Sequence, residues 1–146
     1  PVTVTESCSF TLGGTVFSVD PPRQSDYNED DSNNSSLIVS VRNGANSLLF
    51  AGDAQTERLA EFLSSNDTVY DLLKVPHHGG SEPLMEELIA SVSPAWAVIT
   101  SSDEEPEDET TLSLLESAGV EVLLTRIAPV LVESDGETLA VSYVEE

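Results

Sequence analysis

From Leu37 to its end, the sequence alternates short, almost unbroken apolar runs with stretches whose apolar residues recur at helical spacing. The stretches at about 70–75, 95–100, 120–125 and 138–144 read as strands, and several of them are continuous apolar runs of the kind buried on both faces. Between them, 54–64 places Leu59, Phe62 and Leu63 on one face, 82–92 places Met85, Leu88, Ile89 and Val92, and 109–118 places Leu112 and Leu115. Strands of this kind need covering layers, so the pattern predicts an α/β domain with helices packed on a largely buried sheet. Leu37–Val41 and Ser47–Ala51 read as two further strands joined at Asn43-Gly44, a tight-turn pair. There is no tandem repeat and no sign of a second domain, so 1–146 reads as one domain or part of one.

The first twenty residues read as short strands at Val2–Thr5, Ser9–Leu12 and Thr15–Val19, with Gly13-Gly14 as a hairpin turn. Asp20–Ser35 is polar, rich in turn formers and without periodicity, so a flexible acidic loop is expected over 20–35. The charge balance, 27 acidic residues against 5 basic for a net −22, leaves no basic face with which to grip a phosphate backbone. Metal ions supply positive charge in another way, so chemistry on nucleic acid stays open. A simpler account of the acidic surface is solubility or a salty habitat. Cys8 is alone, which excludes an internal disulfide and a cysteine-built zinc cage. No run is long and apolar enough for a membrane helix, so no direct membrane insertion by this chain is expected. The only methionine is Met85, which leads to the expectation that coding sequence precedes Pro1.

Two strand-to-helix junctions differ from ordinary punctuation. Asp53 follows one strand directly, in Phe50-Ala51-Gly52-Asp53-Ala54. Both histidines of the chain, His77 and His78, follow the next strand in Lys74-Val75-Pro76-His77-His78-Gly79-Gly80-Ser81. Ligand sites of open α/β sheets gather at the carboxyl ends of strands, so the acid and the imidazoles are expected on one sheet edge. Neutral imidazole and carboxylate together suit zinc or manganese, and glycines allow close approach of backbone and metal. A bound divalent ion polarises a substrate oxygen and generates hydroxide from water. Each residue also has a plainer reading. Asp53 suits a helix N-cap, Ser81 suits the N-cap of the 82–92 helix with Glu82 complementing its dipole, and a histidine is commonly a hydrogen-bonded structural residue.

Four phrases in order carry a resemblance: Asn33-Asn34-Ser35-Ser36-Leu37, Leu49-Phe50-Ala51-Gly52-Asp53-Ala54, Leu73-Lys74-Val75-Pro76-His77-His78-Gly79-Gly80-Ser81 and Pro94-Ala95-Trp96-Ala97-Val98-Ile99-Thr100-Ser101. Together they resemble the metallo-β-lactamase domain of ComEC/Rec2-type competence proteins and their free-standing bacterial relatives, over about 33–125. The resemblance implies half of an αββα sandwich, a mixed sheet with helices on one face. It implies a metal-dependent hydrolase with two divalent ions in the complete domain, zinc or manganese, and phosphodiester cleavage of DNA or nucleotides as the activity. Asp53 matches the acid that bridges the metals. His77 and His78 match a pair of which at least one serves as ligand or proton donor, without deciding which. Gly52, Gly79, Gly80 and Ser81 would shape the loops around the metal.

The sequence departs from the family pattern twice. The H-x-H-x-D-H motif that supplies most metal ligands is absent and is expected upstream of Pro1, so this chain alone holds a partial site. Where relatives carry a G-H-P-S-P-E-like phrase, Glu105-Pro106-Glu107-Asp108-Glu109 has no histidine. Either a carboxylate such as Glu107 substitutes, the site has decayed, or the segment is a solvated acidic loop with helix-capping residues. Three readings therefore stand together: part of a metallo-hydrolase, a non-catalytic module of the same fold used for binding or scaffolding, and an unrelated acidic α/β interaction domain. A half sandwich leaves an apolar sheet face, for which the expected partner is the missing N-terminal half or a second copy. The location follows the parent: an extracellular part of a bacterial membrane protein, or the cytoplasm for a free-standing relative.

Overall fold

A computed structural model describes residues 3–25, 27 and 29–145. The strands are β1 Cys8–Leu12, β2 Thr15–Asp20, β3 Ile38–Asn43, β4 Asn46–Phe50, β5 Leu72–Lys74, β6 Trp96–Ile99, β7 Glu121–Leu124, β8 Val130–Ser134 and β9 Leu139–Tyr143. The helices are α1 Thr56–Leu63, α2 Met85–Val92 and α3 Glu109–Ser117. β1 to β7 form one mixed sheet in chain order, antiparallel from β1 to β4 and parallel from β4 to β7. The expected mixed sheet with helices on one face is present. On that face Leu49, Leu73, Ala97 and Ile99 pack with Leu59, Phe62, Leu88, Val92 and Leu115 from the helices, all buried.

Two strand expectations change. Residues 3–5 form no strand, and Val2 lies outside the described residues. The continuation 126–134, with its mixed polarity, contains β8, which pairs antiparallel with β9 as a separate two-stranded sheet. This hairpin lies on the sheet face away from the helices, where Val141 joins Leu48, Leu72, Val98 and Leu123 in a second buried cluster. It covers Leu48, Leu72, Val98 and Leu123 of β4 to β7; the rest of that face stays open, with Phe10 and Leu12 of β1 and Phe50 at the end of β4 exposed and Phe10 stacked on Phe17 at 5.0 Å between ring centroids. The hairpin tip is locked to the β3–β4 turn. The Ala45 amide donates to Gly136 O at 2.8 Å, and a Cβ on Gly44 would stand 2.3 Å from the same oxygen, so only glycine fits this turn.

Helices α1 and α2 begin later than their apolar spacing suggests, while α3 begins at Glu109 as expected. The N-cap of α1 is Gln55 rather than Asp53, and that of α2 is Leu84 rather than Ser81. Pro83 follows Glu82 in a turn closed by the Met85 amide on Glu82 O at 3.0 Å, which delays α2. Asp108 caps α3, accepting from the Thr110 amide at 2.8 Å. Within the stretch expected to be a loop, Glu29–Ser35 forms a 3-10 helix, and Asn34 is fully buried against α1; Asp26 and Asn28 lie outside the described residues. Among the described residues no helix is long and apolar enough to cross a membrane.

Candidate metal centre

Because β4 to β7 run parallel, their carboxyl ends lie side by side, and the loops leaving them meet along one edge. Asp53 leaves β4, the histidine pair leaves β5, Thr100 and Ser101 leave β6, and Arg126 follows β7. The first two loops are joined by the His77 amide, which donates to Gly52 O at 3.3 Å. Gly52 takes φ +59°, and a Cβ there would stand 3.1 Å from both Leu37 O and the Ser36 side chain.

His77, His78 and Gly79 form a 3-10 turn with three successive left-handed residues, φ 47°, 53° and 76°. Two non-glycine residues in this region cost about 1–3 kcal/mol each, so the surrounding contacts must hold them there. Gly79 is wedged: a Cβ would lie 2.8 Å from Ile99 Cγ2 and 3.1 Å from the Glu107 Cβ. From the far side the Asp108 amide donates to Gly79 O at 3.0 Å and the Thr111 hydroxyl to Gly80 O at 3.1 Å.

The two imidazoles have different partners. His77 Nδ1 lies 2.9 Å from Oε1 of Glu82, a buried carboxylate that also accepts from the Thr56 hydroxyl at 3.3 Å. Glu82 thus serves the histidine loop rather than the α2 dipole. His78 Nδ1 lies 2.6 Å from Thr100 O. A carbonyl only accepts, so Nδ1 carries the hydrogen and, in the neutral ring, Nε2 presents its lone pair. That Nε2 is 3.5 Å from Asp53 Oδ1. His78 is therefore the imidazole that meets Asp53, and both are about half exposed.

Lys74, the only lysine of the chain, completes the group. Its ammonium donates to Gly52 O at 2.8 Å and stands 3.6 Å from Asp53 Oδ1. Burial lowers its pKa from the ordinary lysine value, with the Asp53 charge opposing the shift. The phrase that contains Lys74 gave it no role of its own; its singularity in so acidic a chain is the signal that marks it.

Glu107 is placed differently. Its buried carboxylate accepts from Arg126 Nε at 3.1 and 3.0 Å, from Arg126 Nη2 at 2.9 Å and from the Ser101 hydroxyl at 2.7 Å. The Arg126 fork, assisted by Ser101 and opposed by burial, holds the carboxyl at about 2. Its oxygens are engaged, and the pair ties the loop before α3 to the loops that leave β6 and β7. Ser81 is exposed beyond that turn.

Asp53 and His78 have the chemistry of metal donors. Two donors each about 2.1 Å from a tetrahedral zinc stand about 3.4 Å apart, close to the observed spacing of Nε2 and Oδ1. The fit is partial: among the described residues, no group of three or more His, Cys, Asp or Glu side chains converges as a metal cage.

No family model matches this sequence. Over 69 residues, 47% of this chain and 9% of the relative, it is 35% identical to Recombination protein 2 of Haemophilus influenzae. Over 97 residues, 64% of this chain and 12% of the relative, it is 31% identical to ComE operon protein 3 of Bacillus subtilis. The similarity is to ComEC/Rec2-type proteins. This chain spans about a tenth of the length of these curated relatives.

Proposed function

We propose that this chain contributes part of the active site of a metal-dependent hydrolase of the metallo-β-lactamase type, acting on phosphodiester bonds of DNA or nucleotides in a protein concerned with DNA uptake. The observation that carries the reading is the meeting of His78 Nε2 and Asp53 Oδ1 at 3.5 Å. With Nδ1–H directed to Thr100 O, a neutral imidazole turns a lone pair toward a carboxylate oxygen, an arrangement that a cation between them would relieve. The names of the two relatives and the order of the four sequence phrases point the same way.

In this reading Asp53 and His78 hold zinc or manganese, and the remaining donors come from outside residues 1–146, which carry no H-x-H-x-D-H motif. When bound, the metal supplies a polarised substrate oxygen and hydroxide at neutral pH. His77, oriented by Glu82, is the second imidazole of the site and stands as its proton carrier. Lys74, 3.6 Å from Asp53 Oδ1, would offer an anionic substrate oxygen positive charge in a chain of net −22. The open apolar face around Phe10, Leu12 and Phe50 receives the rest of the sandwich, or in its absence a second copy.

A second reading, a non-catalytic module used for binding or scaffolding, is favoured by one observation: the carboxylate that replaces the family's late histidine is engaged by Arg126. Calorimetric titration of zinc and manganese into the full-length protein, with hydrolysis of a phosphodiester followed in parallel, separates the two. The hydrolase reading expects metal binding and turnover that both fail in Asp53→Asn and His78→Ala. Metal-independent behaviour identical in all three proteins would sink it.

A further inference from the structure

The phrase Asn33-Asn34-Ser35-Ser36 supplies no metal donor, yet it is built into the junction that carries Asp53. The N-cap of α1, Gln55, makes no capping bond with its own side chain. Asn34 caps the helix from outside: its Oδ1 accepts from the Gln55 amide at 3.2 Å and the Arg58 amide at 3.1 Å, and the residue is fully buried. Two residues on, Ser36 Oγ accepts from the backbone amide of Asp53 at 3.1 Å. The Ser36 carbonyl accepts from Arg58 Nε at 3.1 Å, and the fully buried Arg58 also reaches Asp20, donating to its carbonyl at 2.6 Å and its carboxylate at 2.8 Å. The Gly52 backbone, at φ +59°, is seated against Ser36 so closely that a Cβ would stand 3.1 Å from the Ser36 Cβ. Asp53 is thus held from two sides, by Ser36 at its own amide and by Lys74 at the preceding carbonyl.

We propose that Ser36 is a positioning residue for the candidate metal centre, acting through the Asp53 amide, and that Asn34 and Arg58 fix the segment from which it does so. The inference rests on the reading of Asp53 as a metal ligand. A hydroxyl that fixes a backbone amide orients the adjoining carboxylate as an outer partner of a ligand does, and losing such a partner typically costs 10- to 100-fold in metal affinity.

The test uses full-length wild type, Ser36→Ala and Ser36→Thr. Manganese affinity is measured by calorimetry, thermal unfolding by circular dichroism, and exchange of the Asp53 amide in metal-free protein by NMR. Ser36→Ala should weaken manganese binding about tenfold or more, speed Asp53 amide exchange and leave the melting temperature close to wild type, while Ser36→Thr restores affinity and protection. Unchanged affinity in Ser36→Ala with a binding wild type overturns the positioning role. So does a loss of affinity that tracks a drop in melting temperature and is not rescued by threonine. A wild type that binds no manganese or zinc instead overturns the underlying metal reading, and this inference with it.

Discussion

Replacing Glu107 by Gln keeps the side chain's shape and removes its charge from a buried position facing Arg126 and Ser101. The carboxyl is held at about 2 against an ordinary 4.5, first by the Arg126 fork. At about 1.4 kcal/mol per pH unit, that displacement corresponds to about 3 kcal/mol of folded-state stability at neutral pH. Arg126 is one-third exposed, and solvent screening brings the expected effect to about 2 kcal/mol. Because the folded-state value lies below the unfolded one, the contribution is complete above about 4.5, shrinks as pH falls and is gone below about 2. Urea unfolding followed by the fluorescence of the single tryptophan, Trp96, at several pH values between 7 and 2 measures it. Taking the difference between wild type and Glu107→Gln cancels the titration of the other 26 acidic residues. A difference that does not change with pH, or is absent at pH 7, would refute the assignment of Glu107 as a paired brace.

Other outcomes follow from the same contacts. Gly79→Ala places a Cβ 2.8 Å from Ile99 Cγ2 in a left-handed residue, and should cost about 2–3 kcal/mol in chemical denaturation. Arg58→Met strands Asp20 and frees the Ser36 carbonyl; a loss of about 3–5 kcal/mol, or failure to accumulate folded protein, is expected, and equal stability in urea would contradict the clamp. In salt sufficient to screen the net −22 charge, light scattering of this chain alone should show concentration-dependent association that Phe10→Glu reduces; a monomer unaffected by the substitution would argue that the open sheet face has no partner.

Where the fold was legible, the reason lies in periodicity. The apolar runs and helical faces around Leu73, Leu88 and Leu115 carry enough burial to specify strands and helices locally. Junctions were less legible because caps and turns are satisfied from a distance: Asn34 caps α1, and Glu82 turns to His77 instead of the α2 dipole. The strand β8 lies outside the main sheet: its residues alternate between half-buried and exposed, and its ladder partner is β9, so the burial that marks the central strands is missing.

The sequence by itself determined that strands and helices alternate, that one acid and two adjacent histidines follow successive strands, and that the chain carries far too little positive charge to hold a phosphate backbone unaided. Only the tertiary structure decided which histidine meets Asp53, that Lys74 stands beside them, and that Glu107 belongs to Arg126. The physical reason is range. Helical and strand periods are written in neighbouring residues, whereas a meeting of imidazole and carboxylate, a buried ion pair or a hydroxyl on a remote amide depends on parallel strand ends brought together across tens of residues.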